Sequence, residues 1–153
     1  LWGIETVVLR IFNAYGPGQR LPPSHPPVVP RFLSQGQQGG SLVIFGGGGQ
    51  TRDFVYVDDV VEGLVAAATA SDVDRRIINV GSGRETSINE LVSLVARAVE
   101  REVEVLHSPA ESGGVARLCA DISVARRLLG YNPRVELATG LRLTIESEPR
   151  FRG

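Results

Sequence analysis

Apolar positions along the chain follow two rhythms. Glu5–Phe12 (ETVVLRIF) is dense in β-branched residues and predicts a buried strand. Leu42–Phe45, Asp53–Val57, Arg76–Val80 and Val103–Leu106 predict further short strands. Between them the apolar period lengthens to that of a helix. Val29–Gln38 predicts a short helix, ended by Gly36, Gly39 and Gly40. A second helix, capped by Asp58 or Asp59, runs to about Ala70. Its Val60, Val61, Leu64, Val65 and alanine run make it apolar on nearly every side, so it is expected between two layers. Ser87-Ile-Asn-Glu90 reads as a capping box, and the helix behind it sets Ile88, Leu91, Val92, Val95 and Val99 on one stripe. Ile122–Leu129, closed by Gly130, and Leu137–Ser147 complete the helices. Strands alternating with helices predict an α/β domain with crossover connections.

The connecting segments carry the candidate chemistry. Asn13-Ala-Tyr-Gly-Pro-Gly opens a proline-rich stretch that stays irregular to Pro30. Gly46–Gly49 runs into Arg52, as a phosphate loop would run into its cation, but no lysine follows. In an extended strand Arg52, Phe54 and Tyr56 share one face, and Asp53, Val55 and Val57 the other. The Arg52 guanidinium can give two parallel hydrogen bonds to a phosphate or carboxylate; pairing with Asp58, Asp59 or another acid is the competing reading. Asn13 lies just past the carboxyl end of a buried strand, where open α/β sheets place ligands, and Asn79 lies at the end of another. Either amide can donate to a phosphate oxygen or simply build a turn.

Gly81-Ser-Gly-Arg-Glu-Thr86 stands where a dinucleotide fingerprint would, but Thr86 replaces the third glycine and no acid follows at the end of the next strand. It predicts a plain turn from strand to capped helix. His25 and His107 are isolated, expected in solvent and not on a metal. Cys119 is expected to be a small buried hydrophobe. No serine elbow and no close carboxylate pair is present.

Composition narrows the classes. A chain of 153 residues can bury one core, and 42% hydrophobic with 22% charged residues is ordinary for a globular protein. A net charge of −1 offers no field for nucleic acid or an anionic membrane, and no apolar run is long enough to span a bilayer. One cysteine excludes an internal disulfide and suits a reducing compartment, so a cytoplasmic location is expected. All 16 basic positions are arginine, which excludes a lysine base, Schiff base or phosphate-loop lysine within these residues. Methionine is absent and Leu1 is bulky, which suggests a fragment of a longer protein.

Five segments in order carry a family likeness: Leu9–Gln19 (LRIFNAYGPGQ), Val28–Phe32 (VVPRF), Gly49–Asp59 (GQTRDFVYVDD), Ile78–Gly83 (INVGSG) and Asp121–Gly130 (DISVARRLLG). Together they resemble the C-terminal half of the NAD-dependent sugar-nucleotide epimerase/dehydratase family, the extended short-chain dehydrogenases that include UDP-glucose 4-epimerase. The resemblance implies that residues 1–153 are the C-terminal part of a Rossmann-like doubly wound domain, with a small α/β substrate-binding subdomain and the N-terminal cofactor-binding half absent. It places Phe12 by the nicotinamide, and Asn13 and Arg52 on the diphosphate of a nucleoside-diphosphate sugar. It places Val28 in the substrate pocket, Val43, Ile44 and Phe45 beside the nucleotide base, and Asn79 on the nucleotide.

Many relatives carry a second arginine where this chain has Glu111, and Arg117 is the expected substitute. The implied activity is that of a cytoplasmic, homodimeric full-length enzyme, in which NAD takes a hydride and the tyrosine of an upstream Tyr-x-x-x-Lys pair acts as base. These residues alone would then be inactive, with NAD bound mainly by the missing half. Two alternatives stand beside it: a non-catalytic nucleotide-binding or interaction module, and an NAD(P)-dependent reductase of the same fold.

Overall fold

The computed structural model describes residues 3–109 and 114–151. In chain order the elements are β1 (Val7–Ile11), β2 (Asn13–Tyr15), α1 (Val28–Gln37), β3 (Leu42–Phe45), β4 (Thr51–Arg52), β5 (Phe54–Tyr56), α2 (Val57–Thr69) and β6 (Arg76–Val80). There follow β7 (Thr86–Ser87), α3 (Ile88–Val99), β8 (Val105–Ser108), α4 (Ser123–Leu129), α5 (Leu137–Ser147) and a 3-10 turn, Pro149–Phe151. Three parallel pairs, β1 with β6, β2 with β5 and β3 with β8, stand beside one short antiparallel pair, β4 with β7. Parallel pairs spaced by helices from residue 7 to residue 147 make a Rossmann-like α/β arrangement that runs the length of the described chain. This corrects the expectation that the fold would be only the C-terminal part of such a domain.

Two cores flank the strands. The first gathers Phe32 and Leu33 of α1, Leu42 and Ile44 of β3, the apolar stripe of α3, and Leu141 of α5. The second gathers Ile78 and Val80 of β6, Val60 of α2 and Ala125 of α4. β5 joins them through its pleat. Phe54 and Tyr56 belong to the first core and Val55 to the second, as the period of two requires. Arg52 is in register with Phe54, so it lies on the first core's side.

The α3 stripe is as the periodicity predicts: Ile88, Leu91, Val92, Val95 and Val99 are buried, and Ser87 Oγ accepts from Glu90 N at 3.1 Å. α1 buries Val29, Phe32, Leu33 and Gly36, an i, i+3, i+4, i+7 pattern. Val28, Arg31 and Gln35 then fall together on the flank of that stripe. The predicted strand Asp53–Val57 is trimmed at both ends: β5 holds only Phe54–Tyr56, Asp53 lies between β4 and β5, and Val57 already begins α2.

Three expectations are corrected here. α2 is not covered on all sides: Val61, Leu64 and Val65 are 49%, 45% and 59% exposed. Its N-cap is Tyr56, without a side-chain cap, and Asp58 and Asp59 lie within its first turn. Asp59 is buried and accepts from Arg134 N at 2.8 Å and Val135 N at 3.1 Å, so it ties α2 to the segment entering α5. Cys119 is exposed. Among the described residues no helix is long and apolar enough to cross a membrane.

Candidate functional site

The glycines before Arg52 form a turn rather than a cradle. Asn89, at the start of α3, donates from Nδ2 to Gly47 O at 3.0 Å and from its backbone N to Gly48 O at 3.1 Å. Gly48 has φ +73, and a Cβ there would lie 2.0 Å from Asn89 Oδ1, so only glycine fits. Gln50 closes the turn by donating from Nε2 to Phe45 O at 3.1 Å. The run thus aims β4, and with it Arg52, back along β3.

Asp53, next to Arg52, turns the opposite way into the second core and is 0% exposed. Its Oδ1 accepts from Ser82 N and Ser82 Oγ, each at 2.7 Å, and its Oδ2 from Gly83 N at 2.9 Å and Ala120 N at 3.0 Å. Ser82 and Gly83 present successive N–H groups, with Gly83 at φ +71, in the form of an anion nest. The anion in it is the protein's own carboxylate. Gly81 must lack a side chain, because a Cβ there would sit 2.9 Å from Asp53 Oδ2. Gly81–Thr86 turns from β6 into the short β7 ahead of α3.

Arg52 faces a cleft of about 170 Å³ whose walls are α1, β3 and β4. Six of the residues that the sequence suggests meet there: Asn13, Val28, Val43, Ile44, Phe45 and Arg52. Among the described residues Arg52 is anchored through Nη1, which donates to Thr51 O at 2.7 Å and Val115 O at 2.8 Å. Among the described residues it makes no ion pair with Asp58, Asp59 or another acid. Asn13 is fixed by β5, its N and its Nδ2 both donating to Asp53 O at 3.1 Å. Val28 opens α1, where the first-turn N–H groups have no intrahelical acceptor; Pro27, before it, gives no side-chain cap. No carboxylate lines the cleft among the described residues. A hollow of about 220 Å³ shares Asn13 and Val28 with it and reaches Gln19, whose Oε1 is buried without a partner.

Three suggested residues lie elsewhere. Phe12 packs at the edge of the second core and donates its N to Val80 O at 2.9 Å. The Asn79 amide donates to Asp121 O at 3.0 Å. Arg117 forks onto Glu85, Nε to Oε1 at 2.8 Å and Nη2 to Oε2 at 2.7 Å. That fork, together with the Thr51 hydroxyl, holds the Glu85 carboxyl down to about 2. Arg117 is therefore engaged away from the cleft. Glu111 lies outside the described residues. His25 and His107 are exposed, and the described residues hold no group of ligands suited to a metal.

Besides the core residues Phe32 and Ile88, two polar residues of the cleft were not singled out by sequence reasoning: Arg31 and Gln50. Each had a signal. Arg31 stands one turn after Val28 on the same helix flank, and Gln50 stands two before Arg52. The Arg31 guanidinium lies 5.1 Å from the Phe32 ring centre and 5.9 Å from that of Phe45, and burial pulls its pKa below the ordinary arginine value.

Comparison with known proteins gives this arrangement its class. Residues 1–81 match the model of the NAD dependent epimerase/dehydratase family, and the chain belongs to that family. It is 36% identical over 145 residues to a putative UDP-glucose 4-epimerase of Methanocaldococcus jannaschii, covering 95% of this chain and 46% of that protein. Among solved structures, a UDP-glucose 4-epimerase of Thermotoga maritima with UDP-glucose superposes with a TM-score of 0.88 at 36% identity, covering 95% of this chain and 46% of that one. A UDP-glucuronic acid 4-epimerase of Bacillus cereus, in complex with UDP-glucuronic acid and NAD, gives 0.81 at 35% identity over 90% of this chain and 43% of that one.

These matches correct the reading of the chain as a C-terminal half alone. The family model falls on residues 1–81, the chain's own N-terminal half, and the likeness extends through nearly all of it. The associated expectations are withdrawn with it: that these residues form a catalytically incomplete fragment, and that NAD is held mainly by a missing N-terminal half. The chain spans about half the length of the relatives it matches.

Proposed function

We propose that the cleft between α1, β3 and β4 grips the diphosphate of a nucleoside-diphosphate sugar, in an NAD-dependent epimerase or dehydratase. The observation that carries the reading is Arg52: a guanidinium whose Nη1 donates to two backbone carbonyls, with no ion pair to an acid among the described residues, in a cleft that no described carboxylate lines. Asn13 and Val28 stand beside it and border the neighbouring hollow, where Gln19 offers an acceptor to a hydroxyl-rich group such as a sugar. A diphosphate is the partner that uses such a cation and the Val28 and Val29 N–H groups at the start of α1, where Pro30 has no N–H and Arg31 N donates to Pro27 O. Binding energy from this remote part of the substrate holds the sugar in place for its reaction.

NAD is proposed as the cofactor of the whole protein, on family grounds and on the complex of the Bacillus cereus relative. Its chemistry would be to take and return a hydride. Among the described residues the Ser82–Gly83 nest, which has the form of a phosphate site, is filled by Asp53, so no step through NAD is assigned to it. A homodimeric, cytoplasmic setting is carried by the family likeness and the ordinary composition alone.

The test is Arg52→Ala in the whole protein, with kinetics on UDP-glucose and UDP-glucuronic acid. Loss of a charge-assisted contact worth about 1.5–3 kcal/mol should raise KM about tenfold or more. Unchanged KM and kcat would overturn the reading.

A further inference from the structure

The cleft holds a second guanidinium that the diphosphate reading does not use. Arg31 is anchored on a different strand from Arg52: its Nη2 makes a long bond of 3.4 Å to Val43 O on β3, whereas Arg52 is held on β4 and by Val115. Its Nε is buried without a partner, and it takes part in none of the ion pairs among the described residues. It lies close to the ring of Phe45, which is 40% exposed. The end of the cleft away from Arg52 is thus built from an aromatic ring, the edge of a short strand and a flat array of donors. That is a surface for a planar heterocycle with oxygen acceptors on its rim.

A guanidinium has five N–H donors and no acceptor. Uracil, thymine and guanine turn carbonyl oxygens outward where cytosine and adenine present an amino group. An amino group brought against Arg31 would set donor against donor and leave both buried groups unpaired, which costs more than a missing contact. We propose that Arg31 reads the nucleobase, selecting a keto base such as uracil over its amino counterpart. The inference rests on the nucleoside-diphosphate reading of the cleft and deepens it. Phe45 supplies the stacking surface and Arg52 holds the phosphates, so the two arginines divide identity from affinity.

UDP and CDP test this, since at C4 they set an oxygen against an amino group, with the neighbouring N3 changing from donor to acceptor. Calorimetric titration of the whole protein should show UDP binding about tenfold or more tighter than CDP. Arg31→Met, which keeps an unbranched stem but removes the guanidinium, should weaken UDP and bring the two nucleotides close to parity. Arg31→Gln, whose amide can both donate and accept, should do the same through improved CDP binding, and it covers the case in which Arg31→Met does not fold. Arg52→Ala should weaken UDP and CDP by a common factor and leave their ratio unchanged. A UDP-to-CDP ratio that survives Arg31 replacement in a folded protein, or that is near one in the unaltered protein, overturns the role of Arg31 while leaving the diphosphate reading standing. Failure of both nucleotides to bind overturns the diphosphate reading and this inference with it.

Discussion

Replacing Asp53 by alanine would strip the shared acceptor from Ser82 N, Gly83 N and Ala120 N at once. Each unsatisfied donor costs about 1–3 kcal/mol where it is shielded from water, so Asp53→Ala should lose about 3 kcal/mol or more, read as a lowered urea midpoint. Arg52→Ala, one residue away, should leave that midpoint within about 0.5 kcal/mol, because Arg52 bonds backbone carbonyls at a partly open site. A large stability loss from Arg52→Ala would mean that the guanidinium is structural. The contrast also shows where sequence reading stops. The strand period assigned Arg52 and Asp53 to opposite faces. The period says nothing of Ser82 or Ala120, which reach Asp53 only through tertiary folding. Asp59 went the same way: it reads locally as a cap, yet its partners are Arg134 and Val135.

At the scale of elements, α3 and β3 were legible because their apolar residues repeat with one period and face one core. α2 was not. Its sequence is apolar all round, but the described residues cover only the side carrying Val60, Gly63 and Ala67. Arg31 and Gln50 were within reach of the same periodicities, since each shares a flank with a residue already chosen. The Gly16–Gln19 loop depends on a contact that no local pattern shows. Glu148, just past α5, accepts from Gly18 N at 2.7 Å and pairs with Arg150 at 2.8 Å. Arg150 in turn donates to Gln19 O at 2.8 Å.

Arg150 and then the Gly18 N–H hold the Glu148 carboxyl down to about 2 from an ordinary 4.5. A carboxyl with a depressed folded pKa contributes stability that is present above the unfolded value and is lost as pH falls through the folded one. The latch should therefore weaken from about pH 4.5 toward about 2. Thermal melts across that window should show the unaltered protein losing Tm more steeply than Glu148→Gln. Parallel slopes for the two would remove the latch from the account.

Over the whole molecule, the two cores meet along β5, and the cleft opens on the first core's side of that seam. Asp53 and Asp59 hold the second core to its neighbouring segments with buried carboxylates, while Arg52 and Arg31 line the cleft without an acidic partner among the described residues. Among the described residues, acids spent inside and two arginines lining the cleft make it cationic in a chain whose net charge is only −1. The Arg117 fork onto Glu85 subtracts one candidate from that cleft, so the grip on a diphosphate falls to Arg52, Asn13 and the opening turn of α1.

The most direct measurement is a crystal structure of the whole protein with UDP bound. The account predicts the diphosphate in the cleft of α1, β3 and β4, with a free donor of Arg52 within about 3 Å of a phosphate oxygen. A UDP molecule bound elsewhere, or one in the cleft with Arg52 turned away from its phosphates, would contradict it.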